Sequence, residues 1–196
     1  MKENDGAEKK SCPSVKGKRV DFDGKYFEVH ADDLVHANGE RSEYQYVKAV
    51  FPWVLVVAIR SADEDSILVV RQYRHPERAM CIDLPGGMVD AGETNEATAH
   101  RELLEETGYR AECLVSLGKV TPFSAMLCTK GEVFLATGSL EDTGSPHLDV
   151  HEETLRHEWM RMQDIEMVLR RTPEQIGAAS VTALLMARLM LGGNLR

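Results

Sequence analysis

The chain has few cysteines, and their spacing forms no metal or redox motif. The four cysteines are Cys12, Cys81, Cys113 and Cys128. None of them forms a C-x-x-C pair, and the intervals between them match no zinc-binding pattern. Free thiols in a reducing compartment are therefore expected, and the protein is predicted to be cytoplasmic.

The chain also lacks a membrane-spanning run and an excess of positive charge. Its longest uncharged apolar run, 49–59, is too short to span a bilayer and is typical of a buried strand. The polar N-terminus shows no secretory signal peptide, and no membrane partner is expected. The net charge of −9 argues against nucleic acid as the main partner, because binding a phosphate backbone needs a basic surface. A small phosphorylated substrate remains compatible with this charge, because a bound metal ion and a few arginines can reverse the local field.

The remaining composition is typical of a globular protein, since 43% of the 196 residues are hydrophobic and 28% are charged. Residues 1–16 lack apolar periodicity and predict a flexible tail. Residues 17–48 predict a small N-terminal β region, with a turn at Asn38-Gly39 before its last strand. Residues 49–196 are expected to form the main domain.

Within the main domain, apolar stretches alternate with segments that favour helices. Strands are predicted near 49–60, 66–73, 81–84, 111–117, 131–137 and 155–160. The first two flank a polar turn and predict a hairpin. Helices are predicted over 95–107, 165–171 and 176–191, with Asp164 as a cap for the second. This order predicts an α/β fold with a mixed sheet flanked by helices.

The segment from Gly87 to Tyr109, which reads GMVDAGETNEATAHRELLEETGY, is the most informative part of the chain. Thr94 is a good N-cap, and few helix breakers follow it before residue 107. Gly108 is a good C-terminal stop. The segment therefore predicts a loop followed by a helix over residues 95–107.

Three glutamates of this helix point to a metal ion. Glu102, Glu105 and Glu106 fall within about 100° of one helix face. Like charges at that spacing destabilise a helix by roughly 0.2–0.5 kcal/mol per pair, so the cluster needs a reason. A hard cation with oxygen ligands such as Mg²⁺ supplies one, and Mg²⁺ commonly uses one or two carboxylates plus substrate phosphates. The alternative is a solvated acidic face.

The same segment resembles the Nudix box, because Gly87, Glu93 and the run from Arg101 to Gly108 all stand in register. The resemblance implies an α/β/α sandwich in which the box forms a loop–helix–loop. It also implies a metal-dependent hydrolase that splits a nucleoside diphosphate linked to another group. Mg²⁺ is the implied ion, with Mn²⁺ as an alternative.

The resemblance assigns roles within the box. It implies Glu102, Glu106 and the Gly86 carbonyl as metal ligands. Glu105 is implied as a further or water-bridged ligand that takes part in catalysis. Glu93 and Arg101 are implied to form a structural pair that orients the helix.

Motifs outside the box resemble the ADP-ribose pyrophosphatase branch. They are ILVVRQYRHP at Ile67–Pro76, IDLPGGMVD at Ile82–Asp90 and the C-terminal IGAASVTALLMARLML. The branch implies that ADP-ribose is hydrolysed to AMP and ribose 5-phosphate. Nucleotide-sugar hydrolases that act on GDP-mannose or UDP-glucose share these motifs and remain an alternative. A triphosphate-sanitising enzyme and a non-catalytic module that senses a nucleotide metabolite are further alternatives.

The branch also implies substrate contacts. Arg74 matches the arginine that contacts the pyrophosphate, and its fork of donors suits that role. Glu132 matches a glutamate that contacts the terminal sugar. Glu153 or Glu152, on the loop at 149–155, corresponds to the general base or an extra metal ligand.

The N-terminal region is the other source of contacts that the branch implies. Phe51 and Trp53 are candidates to stack on the base, although a core role is as good an interpretation of either. The region at 17–48 resembles the part that exchanges between subunits in this branch, so a homodimer is expected. The stretch Thr121-Pro122-Phe123 departs from the branch pattern Ser-Pro-Gly, which leaves the identity of the substrate open.

Overall fold

The structure is a computed structural model that describes residues 12–60, 66–144, 146–148 and 153–192. It divides the chain into two compact units. The first contains the chain up to Phe51 together with Phe123–Thr129. The second contains Pro52–Pro122 and the chain from Lys130 onward. The division follows Phe51 rather than residue 48, and the sequence did not predict that a later segment belongs to the first unit.

Ten strands and three α-helices make up the described chain. The strands are β1 (Ser14–Asp23), β2 (Phe27–Val35), β3 (Arg41–Ala49), β4 (Trp53–Ala58), β5 (Ser66–Arg74), β6 (Ala79–Asp83), β7 (Tyr109–Val120), β8 (Leu127–Cys128), β9 (Gly131–Asp142) and β10 (Arg156–Arg161). The helices are α1 (Asn95–Thr107), α2 (Met162–Arg171) and α3 (Ala178–Met190), with a 3₁₀ turn at Pro173–Gln175.

The first unit is built on one sheet with the strand order β1-β2-β3-β8. The first three strands are antiparallel, and β8 runs parallel to β3. Gly39, at φ +86°, lies in the turn between β2 and β3, where a residue with a side chain would be strained. The predicted tail is shorter than expected, because Ser14 already pairs with Val35 in β1; residues 1–11 lie outside the described residues.

The second unit contains two three-stranded sheets with the orders β10-β5-β6 and β4-β9-β7. In the latter, β4 and β9 are parallel, whereas β7 and β9 are antiparallel, so the sheet is mixed as predicted. Successive side chains of a strand point to opposite faces. On β4, Val56 packs in a cluster with Leu103 of α1, whereas Val57 packs in a second cluster with Leu184 of α3. The β4-β9-β7 sheet therefore carries one helix on each face.

The predicted hairpin between residues 49–60 and 66–73 is wrong. The long apolar run is broken before Trp53, where Pro52 has no N–H to donate to a ladder. The strand that follows Pro52, β4, and the next strand, β5, lie in different sheets. Among the described residues, the bridge between Ile59 and Ile67 is the only pairing between these two segments. Both strands are apolar on both faces, so their sequences contain no alternation from which a partner strand can be inferred.

The helix predictions agree closely with the structure. The first helix spans Asn95–Thr107 as predicted. The second begins at Met162, so Asp164 lies in its first turn and does not cap it. The third is shorter than predicted, because Gly177 precedes its first turn and the 3₁₀ turn lies before that. No helix in the described ranges is both long enough and apolar enough to cross a membrane.

Candidate active site

Local signals fix both ends of α1. Thr94 Oγ1 accepts a hydrogen bond from Ala97 N–H at 3.1 Å, which satisfies one of the free donors of the first turn. Gly108 has a φ of +74° and donates its N–H to the carbonyl of Leu104 at 2.8 Å. Both ends were predicted, because residues next to the helix termini fix where the helix starts and stops.

The buried face of α1 directs two glutamates at a glycine loop. Glu102 and Glu106 are only 7% and 4% exposed and lie one turn apart. Glu106 Oε2 accepts a hydrogen bond from Gly86 N–H at 2.8 Å. A Cβ on Gly87 would lie 2.3 Å from Glu102 Oε1. Both carboxylates therefore lie against the same two-residue segment, which only glycines allow.

Gly86 adopts a conformation that L-residues with side chains rarely adopt, with φ at +156°. A Cβ on Gly86 would lie 2.1 Å from the carbonyl oxygen of Val54, so the loop passes directly against β4. Val54 N–H also donates to the carbonyl of Gly87 at 2.9 Å. The loop is thus fixed to β4 on one side and to α1 on the other.

Arg101 connects the glutamates of the segment. Its Nη1 donates to Glu102 at 2.9 Å and to Glu105 at 3.0 Å. Its Nε and Nη2 each donate to Glu93 at 3.1 Å. The guanidinium holds the pKa of Glu93 below its ordinary value, and the hydroxyl of Thr98 adds to this effect. In return Glu93, more than any other group, raises the pKa of Arg101.

The donor set around the loop fits a hard divalent cation. Glu102, Glu105, Glu106 and the Gly86 carbonyl offer only oxygen ligands, which Mg²⁺ and Mn²⁺ prefer. As they stand, no three His, Cys, Asp or Glu side chains in the described part of the chain are arranged to hold a metal ion. At this site Arg101 Nη1 donates to two of the carboxylates, Glu102 and Glu105.

Arg74, the predicted pyrophosphate contact, ends β5. Its Nε and Nη2 donate to Asp83 Oδ2 at 3.2 and 2.9 Å. Almost half of its side chain remains exposed. Arg74 and Asp83 line an open cavity of about 420 Å³ together with Glu174 and Gly177 at the start of α3.

Glu132, the predicted sugar contact, has both carboxylate oxygens engaged within the second unit. Ser116 Oγ donates to Oε1 at 2.6 Å, and Asn95 Nδ2 donates to Oε2 at 2.6 Å. The Ser116 hydroxyl, followed by the Asn95 amide, lowers the pKa of Glu132. In this arrangement Glu132 connects β9 and β7 to the first residue of α1.

Among the remaining predicted residues, Trp53 begins β4 and pairs with Met88, directly after the glycine loop. Glu153 is exposed on a turn before β10, where its carbonyl accepts from Arg156 Nη1 at 3.0 Å. Glu152 lies outside the described residues. Trp53 is half-buried, and a Cβ on Gly131 would lie 2.3 Å from its ring, so it packs flat on β9. Phe51 is half-buried at the end of the first unit.

Two side chains near the glycine loop were not singled out by sequence reasoning. Ser180 Oγ donates to Asp83 Oδ1 at 3.1 Å and accepts from Leu84 N–H at 3.1 Å. Ser180 is 2% exposed within an apolar helix. A polar residue at a buried helical position was the available signal, because such a group needs a hydrogen-bond partner.

Comparisons with known proteins identify the family of this chain. The NUDIX domain model matches residues 51–185. A CMP-5'-(N-acetyl-N-hydroxy-3-aminopropyl)phosphonate hydrolase from Streptomyces rubellomurinus is 31% identical over 178 residues, covering 91% of this chain and 82% of that protein. An ADP-ribose pyrophosphatase from Bacillus subtilis is 37% identical over 102 residues, covering 52% of each chain. The chain thus spans only about half the length of several curated relatives that it matches.

A solved structure supports the same fold. The crystal structure of an ADP compounds hydrolase has a TM-score of 0.77 with this chain at 24% identity, and the match covers 94% of this chain and 97% of the other. The chain belongs to the Nudix hydrolase family and has its α/β fold. Within that family it resembles the ADP-ribose pyrophosphatase branch, and Nudix hydrolases generally use divalent metal ions.

Proposed function

We propose that the protein hydrolyses the pyrophosphate bond of ADP-ribose to AMP and ribose 5-phosphate, with Mg²⁺ or Mn²⁺ bound at the Nudix box. The observation that carries the proposal is the pair of buried carboxylates, Glu102 and Glu106, held against the Gly86-Gly87 loop. The Bacillus subtilis ADP-ribose pyrophosphatase supports the choice of substrate. The retained box carboxylates argue against a module that only binds nucleotides.

Glu102, Glu106 and the Gly86 carbonyl would hold the cation, with Glu105 as a further or water-bridged ligand. A bound divalent cation would supply charge neutralisation at the phosphate oxygens and a lower pKa for its water. The Arg101–Glu93 pair joins α1 to the preceding loop. Burial of Glu102 and Glu106 strengthens their attraction for a cation, because solvent screens them little.

The reaction exchanges one oxygen–phosphorus bond for another. The oxygen of a water molecule bonds to one phosphorus, and the bond from that phosphorus to the bridging oxygen breaks. The bridging oxygen leaves with the other phosphate. Glu153 or Glu152 would accept the proton that the water loses. Arg74 would donate to the phosphate oxygens through the N–H groups that Asp83 does not use.

A second candidate substrate comes from the Streptomyces relative, which matches most of this chain and is named for a CMP-linked phosphonate. Cleavage at the same box would then release CMP. Sugar nucleotides such as GDP-mannose and UDP-glucose are further variants of the same chemistry. Phe123 stands where the branch pattern has a glycine after Pro122, and this departure leaves room for a substrate other than ADP-ribose.

The test is a competition assay with the full chain. The protein is incubated with Mg²⁺ and equal concentrations of ADP-ribose, GDP-mannose, UDP-glucose, a CMP-linked phosphonate and deoxynucleoside triphosphates, and the products are separated by chromatography. We expect AMP and ribose 5-phosphate to dominate. Parallel reactions with Mn²⁺ and with a chelator determine the requirement for metal.

Each other outcome changes the proposal in a defined way. Dominant CMP, GMP or UMP keeps the reaction and replaces the substrate. Dominant nucleoside monophosphate from the triphosphates moves the protein to a sanitising role. No product from any compound, combined with metal-dependent heat of binding in calorimetry, contradicts the enzymatic proposal and favours a sensing module.

A further inference from the structure

A chain of hydrogen bonds connects α3 to Arg74 through side chains to which the proposed reaction gives no role. Asp83 Oδ2 accepts from Nε and Nη2 of Arg74. The other carboxylate oxygen, Asp83 Oδ1, accepts from Ser180 Oγ at 3.1 Å. Ser180 Oγ in turn accepts from Leu84 N–H, two residues before the glycine loop. The carboxylate is thus held by the helix on one side and holds the guanidinium on the other.

Asp83 is fixed more firmly than Arg74. The Asp83 side chain is 17% exposed, whereas that of Arg74 is 45% exposed. Gly177 lies so close that a Cβ there would be 2.3 Å from Asp83 Oδ1. A long surface side chain loses rotamer entropy when a ligand orders it, and a partner that orders it beforehand reduces that loss.

The pair leaves part of the guanidinium free for a ligand. Arginine has five N–H donors, and Asp83 takes the one on Nε and one on Nη2. Both donors on Nη1 and the second on Nη2 remain, at the border of the open cavity that Arg74 lines. Bonds from both Nε and Nη2 also fix the plane of the guanidinium, which sets the direction of the remaining donors.

We infer that Asp83 is a positioning residue, which holds Arg74 in the orientation that contacts the diphosphate of the substrate. Ser180 acts one step further back, because it holds the carboxylate. The inference rests on the proposed function, since Arg74 is assigned to the diphosphate there. It adds that the contribution of Arg74 to the affinity for the diphosphate depends on Asp83, so this contribution should be lost when the Asp83 carboxylate is removed.

The test measures binding without turnover. The probe is α,β-methylene-ADP, whose P–C–P bridge cannot be hydrolysed, and calorimetry with Mg²⁺ gives its Kd. We expect Asp83→Asn to weaken binding by about tenfold, because it removes a charge-assisted bond that orients Arg74. Arg74→Ala should weaken it at least as much. The double variant should bind no more weakly than Arg74→Ala alone, since the two residues act as a unit.

Matched variants separate positioning from general damage to the fold. Glu158→Gln alters the same kind of pair, with Arg71 in the same sheet, and should leave the Kd unchanged. Gly177→Ala retains the Asp83 carboxylate but presses on Oδ1, so it should reproduce part of the loss even where Asp83→Asn folds poorly. Thr182→Ala, in the same helix, should have no effect, because its hydroxyl bonds only Ala178.

Each outcome decides the inference. Unchanged affinity in Asp83→Asn or in Arg74→Ala overturns it, as does a double variant in which the two losses multiply. Absence of probe binding to the unsubstituted protein overturns it as well. The protein could also hydrolyse none of the nucleotide substrates and still lose probe affinity in Asp83→Asn and Arg74→Ala as a unit. That result would support the positioning role of Asp83 and contradict only the proposed function.

Discussion

At the scale of single residues, the site depends on two glutamates that are buried before any cation binds. Burying a carboxylate is costly unless it is paired and hydrogen-bonded. Gly86 N–H donates to Glu106, and Arg101 donates to Glu102. These partners supply hydrogen bonds to two buried carboxyl groups that lie one turn apart on α1.

Glu106→Gln should abolish most activity and leave the fold intact. The amide oxygen can still accept from Gly86 N–H, so the thermal unfolding temperature should change little. Changes to groups that merely orient a metal ligand reduce activity by about 10–100-fold, so loss of a ligand should lower kcat by at least that factor. Steady-state assays and thermal melts measure both. Glu96→Gln, on the exposed face of the same helix, is the control, and near-normal turnover of Glu106→Gln would sink its assignment as a ligand.

Alanine at Gly86 should mainly reduce stability, whereas alanine at Gly87 should mainly reduce activity. Gly86→Ala places a Cβ against the backbone of Val54 at a positive φ, so we expect a loss of stability of about 1–3 kcal/mol or more. The three atoms nearest to a Cβ on Gly87 all belong to the end of the Glu102 side chain. Gly87→Ala should displace that carboxylate, with a large loss of kcat and a smaller loss of stability. Urea unfolding and kinetics compare the two, and equal loss of stability in both variants would contradict the prediction.

At the scale of elements, the Glu93–Arg101 pair joins the loop to α1. Arg101 lowers the pKa of Glu93 in the fold, so the pair stabilises the protein above the ordinary pKa of 4.5 and ceases to do so as pH falls through the lower folded value. The free energy of unfolding should therefore decrease as pH falls from about 5, and Glu93→Gln should flatten that decrease. Urea unfolding at a series of pH values measures it.

Glu112→Gln provides a comparison for the pH prediction. The backbone N–H of Ser139 lowers the pKa of Glu112, so this variant should also flatten part of the acid dependence. Unlike Glu93→Gln, it should retain full activity at neutral pH, because among the described residues Glu112 accepts hydrogen bonds from Ser139 N–H and Oγ, which lie outside the box segment. An acid dependence that is unchanged in Glu93→Gln would refute the role of the pair.

Among the helices and strands, helix ends follow from local sequence, whereas strand pairing does not. The limits of α1 were predictable because Thr94 and Gly108 act within a few residues of the ends that they fix. The pairing of β4 with β9 was not, because strands that are apolar on both faces carry no mark of their partner. The contact between Ser180 and Asp83 joins residues separated by 97 positions, so no local pattern contains it.

At the scale of the whole molecule, the protein and its proposed substrate carry net charges of the same sign. The chain carries a net charge of −9, and the proposed substrate is an anion. The net charge therefore supplies no attraction for it, and in the proposed reaction a bound cation and close contacts of arginine would supply that attraction locally. Arg74 and Arg101 are each paired with carboxylates, so neither arginine adds net positive charge to its surroundings.

The last prediction concerns the oligomeric state that the branch implies. The first unit exposes about half of the surfaces of Phe22 and Phe27, whose rings lie 5.5 Å apart, and exposed apolar clusters mark interfaces. Light scattering should give twice the chain mass of 21.9 kDa. Phe22→Asp should lower it to that of one chain, because a charge would have to be buried at the interface. Leu189→Asp, at an exposed apolar position of the second unit, is the control and should stay dimeric. If the unsubstituted protein is a monomer, this chain departs from its branch in oligomeric state.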